Sequence, residues 1–168
     1  MKLVIVRHAI ADDRDAWAKT GEDDSKRPIT DAGRKSMKPV ARGLAKLVEQ
    51  VDTIATSPFV RAVQTAKILS NAWDGPKPKR IDALLPGAKR EDLMTWLEEQ
   101  SEAETIALVG HEPSLGLIAS WLLASPLNHF IELKKGGACL LEWQDAPAAG
   151  TAWLRWMMAP AVLRRIGE

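Results

Sequence analysis

The sequence has few of the features that mark several large classes of protein. It holds one cysteine, Cys139, so no disulfide can form within the chain, and this predicts a reducing, cytoplasmic environment. Its formal net charge is only +1, which argues against the broad basic surface of a nucleic-acid-binding protein. No apolar run approaches the roughly 20 residues that span a bilayer, and the residues after Met1 lack the pattern of a signal peptide. We therefore expect neither nucleic-acid nor membrane partners.

What remains is the composition of an ordinary globular protein. Of its 168 residues, 46% are hydrophobic and 27% are charged, and we find no internal repeat or low-complexity tract. A chain of this length can bury a substantial core, so we predict a single domain over residues 1–168. Because the net charge is so small, any anion that the protein binds is expected to be held by a local group of cations.

Three apolar runs predict buried strands, and a chemically reactive residue follows each of them closely. The runs, typical of strands covered on both faces, are Lys2–Val6, Val51–Thr56 and Thr105–Val109. Helical patterns separate them, which favours a parallel sheet with right-handed crossovers. Two further strand patterns, at residues 138–143 and 151–158, predict a hairpin. The predicted fold class is α/β: a three-layer, mostly parallel sheet with helices on both faces and the C-terminal hairpin near the sheet edge.

Local signals also predict where individual elements begin and end. Thr30 is a good N-cap for a helix to about Val48, and Pro39 within that helix predicts a kink or a split. Ser57 is predicted to cap the next helix, with Pro58 at its first position. Residues 10–27 are predicted to form a long polar loop, lying either over the mouth of the ligand crevice or simply on the solvated surface. The remaining patterns predict a short strand or extended segment over 81–85, an irregular stretch over 123–135 and a basic tail over 161–166.

Four residues with chemically useful side chains lie at the ends of the three strands or just beyond: Arg7, His8, Arg61 and His111. The carboxyl ends of parallel strands lie at one edge of a sheet, so we expect these side chains to converge. Two guanidinium groups and two imidazoles around one point favour a tetrahedral oxyanion, most of all phosphate. His8 would attack phosphorus while both arginines neutralise its oxygens. His111 would hydrogen-bond the transferring group and later position a water. This scheme needs no metal and no cofactor.

Structural interpretations compete with this chemistry. A lone histidine is more often structural than catalytic, and Arg61 could simply pair with a nearby carboxylate. His129 has no supporting context and is interpreted as structural, and Cys139 is interpreted as a small buried hydrophobe. A metal site made of His8, His111 and His129 matches no zinc spacing.

Several short motifs follow one another in an order that resembles a known family. They are Val6-Arg7-His8, Arg27-Pro28-Ile29-Thr30 with Gly33, Thr56-Ser57-Pro58-Phe59-Val60-Arg61-Ala62 with Gln64-Thr65, Leu85-Pro86-Gly87 and Val109-Gly110-His111-Glu112-Pro113. Together they resemble the histidine phosphatase superfamily, with its phosphoglycerate-mutase-like fold, and within it the bacterial SixA-type phosphohistidine phosphatases. The resemblance covers nearly the whole chain. It implies that His8 is the phosphorylated nucleophile and that Arg7, Arg61 and His111 form the phosphate pocket.

One residue departs from the family pattern. Ala9 stands where the superfamily usually has glycine. If that position requires a positive φ, alanine costs about 1 kcal/mol there. Because alanine is small, we expect the pocket to survive the change.

The chemistry of the leaving group indicates which class of phosphorylated substrate the site can hydrolyse. Ester-cleaving relatives use a carboxylic acid to protonate an alkoxide, either after the Leu-Pro-Gly-like region, where this chain has no clear match, or directly after the second histidine, where it has Glu112. A phosphoramidate needs less help, because imidazole, with a conjugate-acid pKa of about 6.5, leaves more readily. We therefore favour phosphohistidine on a partner of the phosphorelay or phosphotransferase type.

Two other functions stay open at this point. One is a phosphatase for small phosphorylated molecules in which Glu112 serves as the acid, although Glu112 could instead interact with a helix dipole. The other is a non-catalytic module that binds phosphoproteins.

Overall fold

Six strands form one sheet in the computed structural model, which describes residues 1–125 and 129–168. The strands are β1 (Lys2–Arg7), β2 (Thr53–Thr56), β3 (Lys79–Arg80), β4 (Thr105–Gly110), β5 (Ala138–Glu142) and β6 (Trp153–Met158). Their order across the sheet is β3-β2-β4-β1-β5-β6. The first four strands of that order are parallel, whereas β5 runs antiparallel to both β1 and β6. The predicted mostly parallel sheet with a C-terminal hairpin at its edge is confirmed.

Helices cover both faces of this sheet, as predicted. The helices of the described residues are α1 (Arg14–Ala18), α2 (Asp31–Leu47), α3 (Val60–Trp73), α4 (Arg90–Glu98), α5 (Ser114–Ala124) and α6 (Pro160–Gly167), with 3₁₀ turns at Asp24–Lys26 and Asp82–Leu84. The core on one face contains residues of α2, α3 and α6, and the core on the other contains residues of α4 and α5. Within the described ranges, no helix is both long and apolar enough to cross a membrane.

The alternation of side chains along β1 explains why the sheet lies in the middle. Leu3 and Ile5 belong to the core on one face, and Val4 and Val6 belong to the core on the other. All four are fully buried. Successive side chains of a strand point to opposite faces, so a continuous apolar run requires cover on both sides.

The pairing of β1 with β4 positions the two histidines predicted to act together. These parallel strands align Lys2 with Thr105 and Arg7 with Gly110. His8 and His111 are the next residue of each strand, and the backbone N–H of His8 donates to the carbonyl of Gly110 at 3.0 Å. The register of two buried apolar runs therefore brings the two imidazoles side by side.

Some predicted local features differ from the observed ones. The hydroxyl of Thr30 caps α2 as predicted, accepting from the N–H of Gly33 at 2.8 Å, but the helix runs through Pro39 without being split. Proline removes only one backbone hydrogen bond, and the buried face of α2 holds the helix together on either side of it.

Four segments that lacked clear signals hold more helix than predicted. The surface loop of residues 10–27 contains α1 and a 3₁₀ turn, and residues 81–85 contain a 3₁₀ turn rather than a strand. The basic tail is the helix α6, whose Leu163 is fully buried. In the stretch predicted to be irregular, α5 extends to Ala124, and residues 126–128 lie outside the described residues.

Candidate active site

A cavity of about 460 Å³ opens at the edge of the sheet where β1 and β4 end. Its lining includes all four residues singled out from the sequence: Arg7, His8, Arg61 and His111. Five cationic side chains and four carboxylates line it, although the whole chain has a net charge of only +1. Another cavity, of about 610 Å³, lies at the other end of the sheet, and the described residues that line it include neither histidine nor arginine. The chemistry therefore points to the smaller cavity.

His8 presents one ring nitrogen that suits nucleophilic attack. Its Nδ1 lies 2.7 Å from the carbonyl oxygen of Ala9, and since a carbonyl can only accept, Nδ1 carries the proton. In the neutral ring, Nε2 then keeps its lone pair. The pKa of His8 is lowered to about 4, chiefly because the ring is buried and also because the cations of Arg61, Arg7 and Lys135 lie nearby. At neutral pH the imidazole is therefore uncharged.

His111 lies against His8 with a different set of contacts. The two ring centroids are 5.1 Å apart, and Nε2 of His111 is 2.8 Å from the hydroxyl of Ser57. Burial, followed by the effects of His8 and Arg61, lowers the pKa of His111 to about 3. Its Nδ1 is buried and, within the described part of the chain, has no hydrogen-bond partner. Both imidazoles of the site are thus neutral near pH 7.

Ser57 was expected to cap a helix, and this prediction is wrong. The following helix, α3, begins at Val60, and its N-cap is Phe59. Ser57 is fully buried at the end of β2, where its hydroxyl contacts His111. The hydroxyl of Ser57 satisfies a buried ring nitrogen of His111 there, instead of an N–H at the start of a helix. The signal for this role lies only in the fold, which brings residues 57 and 111 together.

Arg61 is placed by the first turn of α3 and is 5% exposed. Its guanidinium lies 4.9 Å from the centre of the Phe59 ring. It donates to Asp24 twice, to the backbone oxygen at 2.8 Å and to Oδ2 at 2.9 Å, while its buried Nε has no partner in the described ranges. Arg61 therefore does pair with a carboxylate, and this pair lies in the same cavity as Arg7, His8 and His111.

Asp24 and Arg27 are cavity residues that sequence reasoning did not assign to the site. The side chain of Arg27 donates to Oδ1 of Asp24 at 2.7 Å and to the backbone oxygen of Asp12 at 2.7 Å. Burial acts to raise the pKa of Asp24, but Arg27 and Arg61 outweigh it and keep the pKa low. Arg27 had a signal, because it opens one of the family-like motifs. Asp24 had none, since it is one of several acids in a polar loop.

Arg7 takes its orientation from a distant segment of backbone. Nη1 donates to the carbonyl of Leu133 at 2.6 Å, and Nε is buried with no partner in the described ranges. Glu112 also lines the cavity, and its two carboxylate oxygens accept from the backbone N–H groups of Leu133 and Gly116. Lys135, another residue missed from the sequence, completes the cationic lining.

Ala9, which stands where the superfamily usually has glycine, does not adopt the positive φ that would strain an alanine. The non-glycine residues of positive φ in the described chain are Asp74 and Ser125. Ala9 is buried, and its N–H donates to the hydroxyl of Thr65 at 3.0 Å. The expected cost of about 1 kcal/mol therefore does not arise at this position.

The other two residues considered earlier lie outside the cavity lining. Cys139 is fully buried in β5, and burial raises the pKa of its thiol to about 12, in keeping with a role as a small hydrophobe. His129 is partly exposed, with Nε2 3.8 Å from Oε2 of Glu112. Within residues 1–125 and 129–168, no three His, Cys, Asp or Glu side chains are arranged to hold a metal ion.

Comparison of the sequence with known proteins gives two matches. Residues 3–85 match the histidine phosphatase superfamily (branch 1). An uncharacterized protein of Picosynechococcus sp. is 38% identical over 139 residues, which cover 82% of this chain and 82% of that protein.

Solved structures of several phosphatases share this fold. The protein histidine phosphatase SixA complexed with tungstate has a TM-score of 0.82 and 21% identity, covering 97% of this chain and 99% of its own. The putative phosphohistidine phosphatase SixA from Agrobacterium tumefaciens has a TM-score of 0.76 and 25% identity, covering 95% and 97%. The alpha-ribazole phosphatase from Shigella flexneri has a TM-score of 0.72 and 16% identity, covering 95% and 97%. Phosphatases named for different substrates therefore share this architecture.

Proposed function

Since the chain belongs to the histidine phosphatase superfamily, we propose that it is a SixA-type phosphohistidine phosphatase, acting on a phosphorylated histidine of a partner protein. The observation that carries the proposal is the state of His8. Its ring is neutral, its Nδ1 is occupied by the carbonyl of Ala9, and its cavity also contains Arg7, Arg61 and His111. A neutral imidazole with one nitrogen free, surrounded by cations, suits attack on an anionic phosphoryl group.

The first step transfers the phosphoryl group to the enzyme. The lone pair of His8 Nε2 forms a bond to phosphorus, and the bond from phosphorus to the imidazole nitrogen of the substrate breaks. The electron pair leaves with that nitrogen, which takes a proton from solvent. Arg7 and Arg61 hold the non-bridging oxygens, whose charge is greatest in the transition state.

The second step restores the enzyme. A water attacks the phosphorus of phosphorylated His8, the bond to Nε2 breaks, and inorganic phosphate leaves. His111 hydrogen-bonds the transferring group and orients this water. Its ring is neutral, and the contact of its Nε2 with the hydroxyl of Ser57 fixes the orientation of the imidazole. One water is consumed in each cycle, and no metal or cofactor enters the scheme.

The leaving group favours phosphohistidine over an alkyl ester. Imidazole, with a conjugate-acid pKa of about 6.5, leaves without the strong acid that an alkoxide requires. Two of the carboxylates in the cavity already have partners: Asp24 accepts from two arginines, and Glu112 accepts from two backbone N–H groups. The likeness to a SixA structure that holds tungstate, a tetrahedral oxyanion, also supports a phosphoryl site.

A phosphatase for small phosphate esters is the second candidate. It is favoured by the alpha-ribazole phosphatase of the same fold and by the presence of Glu112 in the cavity lining. In that case Glu112 would protonate the leaving alkoxide.

A direct comparison of substrates tests the proposal. Purified enzyme is given a phosphohistidine-bearing phosphotransferase protein and, separately, phosphoserine and an aryl phosphate, and phosphate release is measured. We expect the phosphohistidine protein to be hydrolysed with the highest kcat/KM. A clear preference for the esters would reject the SixA-type assignment.

A second measurement separates an enzyme from a binding module. The reaction with radiolabelled substrate is quenched in alkaline denaturant, which preserves phosphohistidine. Label should appear on the wild-type chain and be absent from His8→Asn. His129→Asn is the matched control, because it makes the same change outside the cavity. Binding of the phosphoprotein without label or phosphate release would indicate a non-catalytic module.

A further inference from the structure

We propose that Glu112 is a positioning residue, which orients Arg7 for phosphate binding by fixing the backbone of Leu133 between them. Where it concerns turnover, the inference rests on the proposed function; where it concerns phosphate binding, it needs no knowledge of the substrate. This role differs from that of the general acid, which the position of Glu112 directly after His111 suggests.

The contacts form a short relay of two hydrogen bonds. The N–H of Leu133 donates to Oε1 of Glu112 at 2.9 Å, and the carbonyl of the same residue accepts from Nη1 of Arg7 at 2.6 Å. The side chain of Glu112 is only 8% exposed. Glu112 therefore fixes the N–H of Leu133, and the carbonyl of Leu133 fixes Arg7.

Glu112 acts on Arg7 through this backbone and not through a direct ion pair. Within the described residues, the basic side chain that lies within ion-pair distance of Glu112 is that of His129, at 3.8 Å, and Arg7 is in no salt bridge. The carbonyl of Leu133 is the acceptor that the structure gives to the Arg7 guanidinium. A displacement of that carbonyl would leave the guanidinium free to turn away from the cavity.

The segment that carries Leu133 is built to lie close to Glu112. Its preceding residues are held on α5 by the buried hydroxyl of Ser120, which accepts from the N–H groups of Phe130 at 3.1 Å and Ile131 at 3.0 Å. A Cβ on Gly116 would overlap the carbonyl oxygen of Ile131. Glycine thus permits the segment to contact the first turn of α5 directly.

The second carboxylate oxygen completes the arrangement. Oε2 of Glu112 accepts from the N–H of Gly116 at 3.2 Å, so the same side chain joins the start of α5 to the segment that carries Leu133. A buried carboxylate is costly unless hydrogen bonds satisfy it. Here both oxygens have backbone donors, which leaves Glu112 well suited to hold geometry.

A double-mutant cycle on phosphate affinity tests this role. Binding of inorganic phosphate is measured by calorimetry for wild type, Glu112→Gln, Arg7→Ala and the double variant, with the exposed Glu98→Gln as control. Glutamine offers one acceptor oxygen instead of two, so one N–H loses its partner. We expect Glu112→Gln to weaken phosphate binding about tenfold in wild type and to have no further effect once Arg7 is removed. Equal losses in both backgrounds, or unchanged affinity, would overturn the proposal.

A second variant guards against a folding defect. If Glu112→Gln melts before its affinity can be measured, Ser120→Ala loosens the same segment at its other anchor. It should weaken phosphate binding in wild type and leave the Arg7→Ala background unaffected. Loss of affinity in both backgrounds would contradict a role exerted through Arg7.

Leaving-group dependence separates positioning from acid catalysis. Turnover of aryl and alkyl phosphates, whose leaving groups differ in their need for a proton, is compared in wild type and Glu112→Gln. A positioning residue lowers kcat/KM by the same factor for both. A loss confined to alkyl phosphates would identify Glu112 as the acid. Wild type that hydrolyses no phosphohistidine would refute the proposed function and leave the phosphate-binding cycle intact as a test of Glu112.

Discussion

Protonation of His8 should inactivate this site at a much lower pH than an ordinary histidine would allow. Burial, together with the nearby arginines and Lys135, lowers the pKa of His8 to about 4. An imidazole with the ordinary pKa of about 6.5 is only about one-tenth neutral at pH 5.5, whereas one with a pKa of about 4 is almost fully neutral. At pH 5 the two cases differ about 30-fold in the reactive form. The phosphorylation rate of the free enzyme should therefore hold until well below pH 5.5.

Two measurements on the same protein check this expectation. The chain has only three histidines, so ring resonances can be followed by NMR and His8 assigned from the spectrum of His8→Asn. This titration contains no substrate, and ionisation of the phosphate group cannot distort it. Single-turnover phosphorylation is then measured over the same pH range. A His8 midpoint near pH 6.5, with a parallel tenfold loss of rate by pH 5.5, would refute the reasoning.

The same proton connects the site to folding stability. Unfolded His8 binds a proton near pH 6.5 and folded His8 only near pH 4, so between these values the unfolded state holds more protons. The free energy of unfolding must then fall as the pH falls through that window. At pH 5 the loss is about 2 kcal/mol for His8 relative to neutral pH. Urea denaturation at pH 7.5 and pH 5 should show a smaller decrease for His8→Asn than for wild type.

Three substitutions test the rest of the arrangement. Arg61→Ala should weaken inorganic phosphate binding at least tenfold by calorimetry, because a charged hydrogen-bond donor is lost from the cavity, and unchanged affinity would remove Arg61 from the phosphate site. Ser57→Ala should slow turnover about tenfold, since His111 loses the partner of its Nε2, and full activity would show that this contact does not matter. Gly116→Ala should lower the unfolding free energy by about 1–3 kcal/mol, because the new Cβ would overlap the carbonyl of Ile131; an unaltered denaturation midpoint would contradict that packing.

The main elements of the site could be predicted from the sequence because each is encoded locally. An apolar run specifies β1, and the residues after it are Arg7 and His8. A second run specifies β4, with His111 directly beyond it. Parallel pairing then brings the strand ends together without any further information.

The partners of these side chains could not be predicted in the same way. Asp24 is 37 residues from Arg61, and Leu133 is 126 residues from Arg7. Neither belongs to a periodic pattern, and Leu133 acts through its backbone, which the identity of the side chain does not reveal. Contacts of this kind become visible only once the loops are folded against the sheet.

The helix α6 shows a different reason for failure. Its sequence is short and basic, features that also describe a solvated tail. What makes it a helix is its packing on α2, where a Cβ on Gly43 would overlap the carbonyl of Leu163 and one on Gly167 would overlap the carbonyl of Pro39. Short helices gain most of their stability from such tertiary contacts, so local propensity alone underestimates them.

Burial and positive charge serve two purposes in this cavity. Both effects lower the pKa of His8, and the same arginines that contribute are the groups proposed to hold a phosphoryl group. The arginines are in turn restrained by groups outside the predicted motifs, Arg61 by Asp24 and Arg7 by the carbonyl of Leu133. The proposed nucleophile is thus kept uncharged by its burial and, to a smaller extent, by the cations proposed to bind its substrate. An imidazole that protonated readily would lose the lone pair it needs for attack, and the same low pKa makes the folded protein less stable in acid.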